Sequence, residues 1–385
     1  MNLTPTPAPG PQPHLHVWPP AAPPRRGAGA GAGIVVLSAI AVLAGLLVFA
    51  YLAVSFGISV LVVGTLVALV PLAIVLLAVR WVDRWEPEPR WALWFAFLWG
   101  AAVSVAIALV VDLGVQLFVA VASPAGAAAD ATMQAVVQAP IVEELAKGVG
   151  VLLLYAFSKS HFDGPVDGLV YAATVAAGFA FTENILYFGA ALIEGGAGEL
   201  GATFVVRGIF SPFAHVLFTA CTGIAIGIAA RRGGRGVIGW FLLGLVAAVL
   251  LHAFWNGSLA FADALALYFT VQVPIFVGAI IVTLLLRREE QRITRSRLAE
   301  YAAAGWFSPD EVDGLSTPSG RRAALAWARA QRPPRTAQVQ RFIADATRLA
   351  FTRQALVSGR GDVRRLEDER VLLDAVTRDR NAISA

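Results

Sequence analysis

The chain is too apolar for a soluble globular protein, since 57% of its 385 residues are hydrophobic and only 15% are charged. A mean hydropathy of +0.69 indicates a membrane protein. The single cysteine, Cys221, excludes an intrachain disulfide and a cysteine-based structural zinc site. The net charge of +4 reflects arginines concentrated after residue 286, and beside a membrane such a segment favours contact with anionic lipid over nucleic-acid binding.

Residues 1–33 are rich in Pro, Ala and Gly and show no apolar signal-peptide region or cleavage site. We predict a disordered tail, followed by a first span that acts as an uncleaved insertion signal. Apolar runs long enough to cross the hydrocarbon core follow. They cover residues 34–54, 58–79, 92–120, 133–157, 165–190, 209–230, 237–261 and 266–286. The sequence therefore predicts an all-α, polytopic membrane domain of about eight transmembrane helices over residues 34–286.

Nearly all basic residues between these runs fall in alternate connections, and the exception is a lone Arg207 between the fifth and sixth runs. The others are Arg25 and Arg26, then Arg80, Arg84 and Arg90, then Lys159, then Arg231, Arg232 and Arg235, and finally Arg287 and Arg288. Short loops rich in Lys and Arg stay in the cytoplasm. The pattern predicts a multi-pass protein of the plasma membrane with both termini cytoplasmic.

Residues 287–385 form a segment of different composition, rich in Arg and acidic residues. In "SRLAEYAAAGWFSPDEVDGL" and "TAQVQRFIADATRLAFTRQALV" the apolar residues recur at intervals of three and four, which is typical of amphipathic helices. Ser308, followed by Pro309 and two acidic residues, predicts a helix N-terminus. We expect a small helical cytoplasmic region that contacts anionic lipid and has no catalytic motif of its own.

Ionisable and amide side chains cluster in four consecutive predicted spans, where one charged group costs about 2.5–3.5 kcal/mol at mid-bilayer. They are Glu143, Glu144 and Lys147, then Glu183, Asn184 and Tyr187, then His215, and then His252 and Asn256. A spacing of three or four residues places the members of one span on one helical face. Because the topology also puts them at similar depths, we predict that they form one functional cluster rather than helix-packing contacts.

Carboxylates and imidazoles define the chemistry that this cluster offers, since no Ser/His/Asp triad or aspartyl dyad is evident. One of two adjacent glutamates, held ionised by Lys147, can act as general base towards water. Either Glu143 or Glu144 is a candidate, and we favour Glu143. His252 and Asn256 are placed to donate hydrogen bonds to the oxyanion formed when water attacks an amide.

Four motifs in this order resemble the PrsW family of intramembrane proteases, which is related to the type II CAAX prenyl proteases. They are "EELAK" (Glu143 to Lys147), "FAFTEN" (Phe179 to Asn184), the isolated His215 and "HAFWN" (His252 to Asn256), preceded by a similar acidic loop, "DRWEPEP". The resemblance implies a glutamate-dependent endopeptidase, without metal or cofactor. Its expected substrates are single-span regulatory proteins such as anti-sigma factors, cut near the extracytoplasmic side.

The resemblance also implies roles for individual residues. Glu143 and Glu144 match the catalytic glutamate pair, and His252 and Asn256 match the pair that polarises the scissile carbonyl. The CAAX proteases carry a histidine where this chain has Glu183, so His215 is the alternative water-positioning residue.

Two other functions use the same residue types. A zinc-dependent hydrolase would bind the metal through His and Glu, although no HExxH pair occurs within one helix. A proton-coupled transporter would use the buried carboxylates as a relay, although no internal repeat is evident. Sensitivity to chelators and substrate flux in proteoliposomes distinguish these alternatives from a metal-free protease.

Overall fold

The computed structural model describes residues 28–122, 130–158, 162–258, 263–360 and 363–384. These residues form helices and no strands, which confirms the all-α prediction. Residues 1–27 of the predicted tail and Lys159 lie outside the described residues. The helices are α1 (Ala28–Val82), α2 (Arg90–Leu98), α3 (Val105–Ala122), α4 (Ala131–Met133), α5 (Ala139–Phe157), α6 (Pro165–Phe204), α7 (Ala214–Arg231), α8 (Val237–Ser258), α9 (Ala264–Leu267), α10 (Val273–Ala303), α11 (Pro309–Leu315), α12 (Pro318–Ala330), α13 (Thr336–Ala355) and α14 (Val363–Ser384).

Five helical stretches of the described residues are long and apolar enough to cross a membrane. They are Val36–Val82, Arg90–Ala122, Pro165–Arg231, Val237–Ser258 and Ala264–Ala303. A polytopic membrane protein is therefore confirmed, whereas the predicted count of eight spans is not. Helix α5, the fourth predicted span, is absent from this set because its 19 residues carry three charged side chains.

A glycine with left-handed backbone interrupts α1. Gly57 has φ 74°, a conformation that side-chain-bearing residues rarely adopt. Leu52 before it and Leu61 after it both pack in one apolar cluster with Phe188. The two halves of α1 therefore meet α6 at the same level, as expected if the chain reverses near Gly57.

A second left-handed glycine, Gly196 with φ 64°, interrupts α6. The ring of Phe204 lies 6.0 Å from that of Phe188, so the chain folds back on itself at this glycine. The connection expected between the fifth and sixth predicted spans is thus mostly helical rather than an extended loop. Its apolar residues, including Leu200 and Phe204, give it a face that packs on α6.

Helices α6 and α7 approach each other closely through glycines. A methyl group on Gly168 would overlap the carbonyl group of Gly223, and one on Gly223 would overlap that of Gly168. Small residues of this kind allow the backbones of membrane helices to come into contact. This contact fixes the relative positions of Glu183 on α6 and His215 on α7.

The C-terminal helices build a separate apolar core around Leu298, Leu349 and Ala350. Helix α10 enters this core directly from the apolar part of the chain. The predicted start of α11 is confirmed, since the Ser308 side chain accepts a hydrogen bond from the Glu311 backbone N–H at 3.2 Å. The region therefore packs as a helical unit rather than as isolated amphipathic helices.

The C-terminal helices also contact the segment that follows α1. The Arg321 guanidinium lies 3.4 Å from the Trp85 ring centroid and donates to the Trp85 carbonyl at 3.0 Å. The Trp85 indole N–H donates to the Thr294 hydroxyl at 3.0 Å. Trp85 is only 5% exposed, so it joins the two parts of the protein rather than facing lipid.

Candidate active site

Helices α5, α6, α7 and α8 bring most of the predicted site residues into one buried cluster. Its members are Glu143, Glu144, Lys147, Glu183, His215 and His252, and each contacts at least one other member by a hydrogen bond or ion pair. The i, i+3 and i, i+4 spacings on α5 direct its three charged side chains to this common interior.

Glu144 is the central anion of the cluster and is fully buried. Its carboxylate accepts from Lys147 Nζ at 2.6 Å, from His252 Nδ1 at 3.0 Å and from the Thr219 hydroxyl at 2.8 Å. Because a carboxylate can only accept, Nδ1 of His252 carries the proton of this bond. The Glu144 carboxylate therefore orients Lys147, His252 and Thr219.

Glu143, the next residue, has a different environment. Its Oε2 atom is buried and accepts no hydrogen bond from any described residue. This oxygen lies 3.7 Å from Lys147 Nζ and 4.0 Å from His252 Nε2. A water molecule that contacts both groups is consistent with polar separations longer than about 3.5 Å. Of the two glutamates that the sequence left open, the geometry favours Glu143 as the one that holds a water molecule.

Lys147 has no exposed surface and lies among the charged groups of the cluster. Besides its two glutamate contacts, its ammonium lies 3.3 Å from His215 Nδ1 and 4.2 Å from the Phe179 ring centroid. An ammonium group only donates, so Nδ1 of His215 accepts and its Nε2 carries the proton. These contacts agree with the predicted role of counter-ion.

Glu183 connects His215 to a residue that sequence reasoning missed. Its Oε2 accepts from His215 Nε2 at 2.7 Å and from the Arg207 guanidinium at 2.5 Å. Arg207 also donates to the Asn184 side-chain oxygen at 2.8 Å and lies 3.9 Å from the Tyr187 ring centroid. Arg207 thus binds all three polar residues predicted on α6.

Asn256 lies one helical turn from His252 but outside this network. Its amide nitrogen donates to the Ala135 carbonyl at 2.8 Å, and the described residues show no hydrogen bond from it to the other predicted site residues. Tyr187 is also peripheral, at 48% exposed. Thr219 is an additional member that the sequence signals weakly, because it lies one turn after His215 on the same face.

A group of possible metal ligands coincides with the cluster. Glu143, His215 and His252 each offer one ligand atom within 4.8 Å of the others, and no other such group occurs among the described residues. Two histidines and a carboxylate are a ligand set of catalytic zinc, and the His252 bond to Glu144 is of the type that orients metal-binding histidines.

Two features oppose a metal ion in the arrangement described. Tetrahedral zinc bonds of about 2.0–2.1 Å require ligand atoms roughly 3.4 Å apart, so the three side chains would have to move closer together. The Lys147 ammonium, beside both Glu143 and His215, also repels a divalent cation. The residues fit zinc by donor type, provided that Lys147 moves away.

Comparison with known proteins places this cluster inside a recognised sequence family. Residues 88–279 match the model of the family described as PrsW family intramembrane metalloprotease. The curated relatives described next are each named Protease PrsW. The protein of Geobacillus kaustophilus is 31% identical over 38% of this chain and 58% of its own length. The protein of Bacillus subtilis is 33% identical over 28% of this chain and 45% of its own length. The protein of Clostridioides difficile is 28% identical over 50% of this chain and 76% of its own length.

The match to the first two of these relatives spans about half of their length. No solved structure matches the chain. The family match includes every residue of the candidate cluster, since these lie between positions 143 and 256.

Proposed function

The chain belongs to the PrsW family through residues 88–279, and from this membership and its buried cluster we propose that it is an intramembrane peptide hydrolase. The observation that carries the proposal is Oε2 of Glu143, a buried oxygen beside Lys147 and His252 that accepts no hydrogen bond from the described part of the chain. A carboxylate in this position is suited to hold and deprotonate water. The family match favours hydrolysis over the transporter alternative.

In the proposed reaction, Glu143 binds a water molecule that also contacts His252 Nε2. The water oxygen attacks the scissile carbonyl carbon while Glu143 takes one of its protons. The carbon–nitrogen bond then breaks, and Glu143 returns the proton to the leaving nitrogen. Lys147 and Glu144 remain an ion pair throughout and balance the charge of the buried site.

Two further groups are proposed to stabilise the oxyanion intermediate. For this role His252 takes up a second proton from solvent on Nε2 before water attacks, so that Nδ1 stays bound to Glu144 and Nε2 donates to the oxyanion. Asn256, one turn away, supplies the second donor after its amide leaves the Ala135 carbonyl. The network of Glu183, His215 and Arg207 holds the opposite side of the cluster in place.

A metal-dependent reaction is the second candidate, favoured by the ligand group and by the description of the family as metalloproteases. Glu143, His215 and His252 would hold the zinc ion. When bound, it would polarise the scissile carbonyl and lower the pKa of its water.

The test is cleavage of a single-span membrane protein by the purified full-length protein in vesicles. We expect Glu143→Gln to abolish cleavage while the protein stays folded and inserted. Glu194→Gln changes an exposed carboxylate of α6 and should cleave at the wild-type rate. Full activity of the Glu143 variant would contradict the proposal.

We further propose eight spans with both termini in the cytoplasm of a plasma-membrane protein. The reversals at Gly57 and Gly196 support the division of α1 and of Pro165–Arg231 into two spans each. Arg287 lies beside Trp81, and Arg231 lies beside Gly164. These contacts support the proposal that the basic connections lie at one end of the helical bundle. Labelling of single cysteines at positions 194 and 288, in a Cys221→Ser background, should occur from opposite sides.

The proposed substrates are single-span regulatory proteins, such as anti-sigma factors, cut near the extracytoplasmic side. Comparison of membrane proteomes from cells with wild-type protein and with Glu143→Gln identifies them. The expected result is a single-span protein that accumulates uncut only with the variant.

A further inference from the structure

A large apolar groove lies between α1, α6, α7 and α10, apart from the ionisable cluster. It encloses about 840 Å³. Its walls are residues 74–82 of α1, 169–173 of α6, 216–224 of α7 and 275–284 of α10, together with residues 208–213 that connect α6 to α7. Ile280 is 59% exposed and Val282 44%, so the α10 wall faces the surrounding bilayer. The groove is therefore accessible to molecules dissolved in the membrane.

The length of the groove identifies the kind of molecule that fits it. At 1.5 Å per residue, the α1 wall rises about 12 Å and the α10 wall about 14 Å. The hydrocarbon core of a bilayer is about 30 Å thick, so the groove is one leaflet deep. A membrane-spanning helix needs a groove about twice as long, whereas lipid acyl chains need only this length.

One end of the groove carries a cation. Trp81, Val82 and Leu284 line that end. Arg287 follows one turn after Leu284, and its guanidinium lies 3.8 Å from the Trp81 ring centroid. Its Nε atom is buried and donates no hydrogen bond to any described residue. The Arg287 side chain as a whole is only half-buried, so the rest of its guanidinium group is suited to a phosphate group at this end of the groove.

We propose that this groove is a binding site for an anionic glycerophospholipid. The acyl chains lie between α1 and α10, and the phosphate accepts hydrogen bonds from Arg287. Arg80 and Arg84, which lie close to Trp81 in the sequence, add positive potential and favour a lipid with net negative charge. The site is distinct from any lipid contact of the C-terminal helices and does not depend on the proposed hydrolytic function.

The only cysteine of the chain provides the test, because Cys221 lines the groove. The full-length protein is placed in phosphatidylcholine nanodiscs with or without phosphatidylglycerol, and modification of Cys221 by a small maleimide is followed by intact mass. We expect phosphatidylglycerol to slow the modification. One basic residue contributes about a fivefold change in binding, so Arg287→Gln should require about fivefold more phosphatidylglycerol for the same protection.

Arg288→Gln is the matched control, since it removes the same charge from the next, exposed residue of α10. It should keep the wild-type protection. The proposal is wrong if the two lipids protect Cys221 equally, or if Arg288→Gln loses as much protection as Arg287→Gln. It is also wrong if an added hydrophobic single-span peptide protects Cys221 and phosphatidylglycerol does not.

A second measurement does not depend on the folding of the Arg287 variant. Native mass spectrometry of the wild-type protein should show retention of phosphatidylglycerol over phosphatidylcholine. Ala279→Phe, which fills the groove from α10, should abolish this retention. Equal retention of both lipids by the wild-type protein, or undiminished retention by the Ala279 variant, would contradict the site.

Discussion

Arg207 donates a hydrogen bond to Glu183 across 24 residues of sequence and across the reversal at Gly196. The same guanidinium binds Asn184 and covers Tyr187. Glu183 in turn holds His215, so Arg207 reaches the cluster without contacting the proposed water-activating residue. It is a positioning residue in this arrangement.

Arg207→Ala should lower kcat by about 10–100-fold with little change in KM, because groups that orient a site typically have effects of this size. Arg207→Lys keeps the charge but not the paired hydrogen bonds, and should recover part of the loss. Cleavage kinetics in vesicles measure both. Arg232→Ala, which removes a guanidinium 4.9 Å from the Trp240 ring, is the control. Wild-type kcat in a folded Arg207→Ala protein would exclude the positioning role.

Substitutions at the two adjacent glutamates should change the free energy of unfolding by different amounts. Glu144→Gln leaves the fully buried Lys147 ammonium without its closest carboxylate at 2.6 Å, and breaking a buried pair in this way costs about 3–5 kcal/mol. Glu143→Gln keeps that pair and should change the free energy of unfolding by less than about 1 kcal/mol. Thermal unfolding in detergent measures the difference, and equal destabilisation by both substitutions would contradict the assignment of roles.

Adding Lys147→Met to Glu144→Gln is the complementary experiment. It removes both charges of the buried pair and should restore most of the stability but none of the cleavage. Continued instability of the double variant would show that the ion pair is not the source of the loss.

The contact between α6 and α7 can be tested at Gly168. A methyl group there overlaps the Gly223 carbonyl, so Gly168→Ala should force the helices apart and cost about 1–3 kcal/mol in stability. It should also lower cleavage, because the contact aligns Glu183 with His215. Gly201→Ala is the control, since a methyl group at Gly201 meets no atom within 4 Å. Similar melting temperatures for the two variants would refute the packing argument.

A carboxylate outside the spans should make stability depend on pH. Burial raises the pKa of Asp83 from 3.8 to about 7. Between these values the unfolded chain releases a proton that the folded protein retains, so this group lowers the stability as pH rises from about 4 to 7. Above pH 7 the loss stays constant.

Asp83→Asn removes this dependence while still accepting the hydrogen bond that the Glu88 N–H donates to Asp83 Oδ1 at 2.9 Å. The variant should be more stable than the wild-type protein by roughly 1–2 kcal/mol at pH 8, after discounting for screening by water, and should differ little at pH 4. Melting temperatures at both pH values measure this effect. Glu367→Gln, at an exposed carboxylate, should show no such difference. A pH-independent gain for Asp83→Asn would disprove the mechanism.

The proposed metal-free reaction predicts that chelators leave cleavage intact. A zinc-dependent reaction instead requires loss with a chelator, recovery with zinc, and bound zinc that disappears in His215→Ala. Elemental analysis of the purified protein measures the last of these separately from activity. Stoichiometric zinc in the wild-type protein and none in the variant would establish the second candidate.

The sequence predicted the parts of the molecule that follow from helical periodicity and local capping. Apolar runs located the five stretches that are long enough to cross a membrane, and "SPDEV" located the start of α11 at Ser308. Spacings of three and four residues correctly grouped Glu143, Glu144 and Lys147 on one side of α5. The resemblance to the PrsW family was also confirmed.

Contacts that depend on tertiary packing had no such signal. Arg207 was a lone basic residue in a presumed connection, and only the fold-back at Gly196 brings it to Glu183. The Asn256 side chain shares a face with His252 but bonds to the backbone of Ala135 instead. Helical spacing predicts which side chains share a face. It does not predict their hydrogen-bond partners, because these depend on which backbone groups nearby are left unpaired.

Helix α10 has a mechanical consequence. Its 31 residues form a rod about 46 Å long that lines the groove at its start and enters the core of the C-terminal helices at its end. The two regions are therefore joined by one continuous helix rather than by a flexible linker. Truncation at residue 286 would therefore cut through α10 and also remove Arg321 from its contact with Trp85.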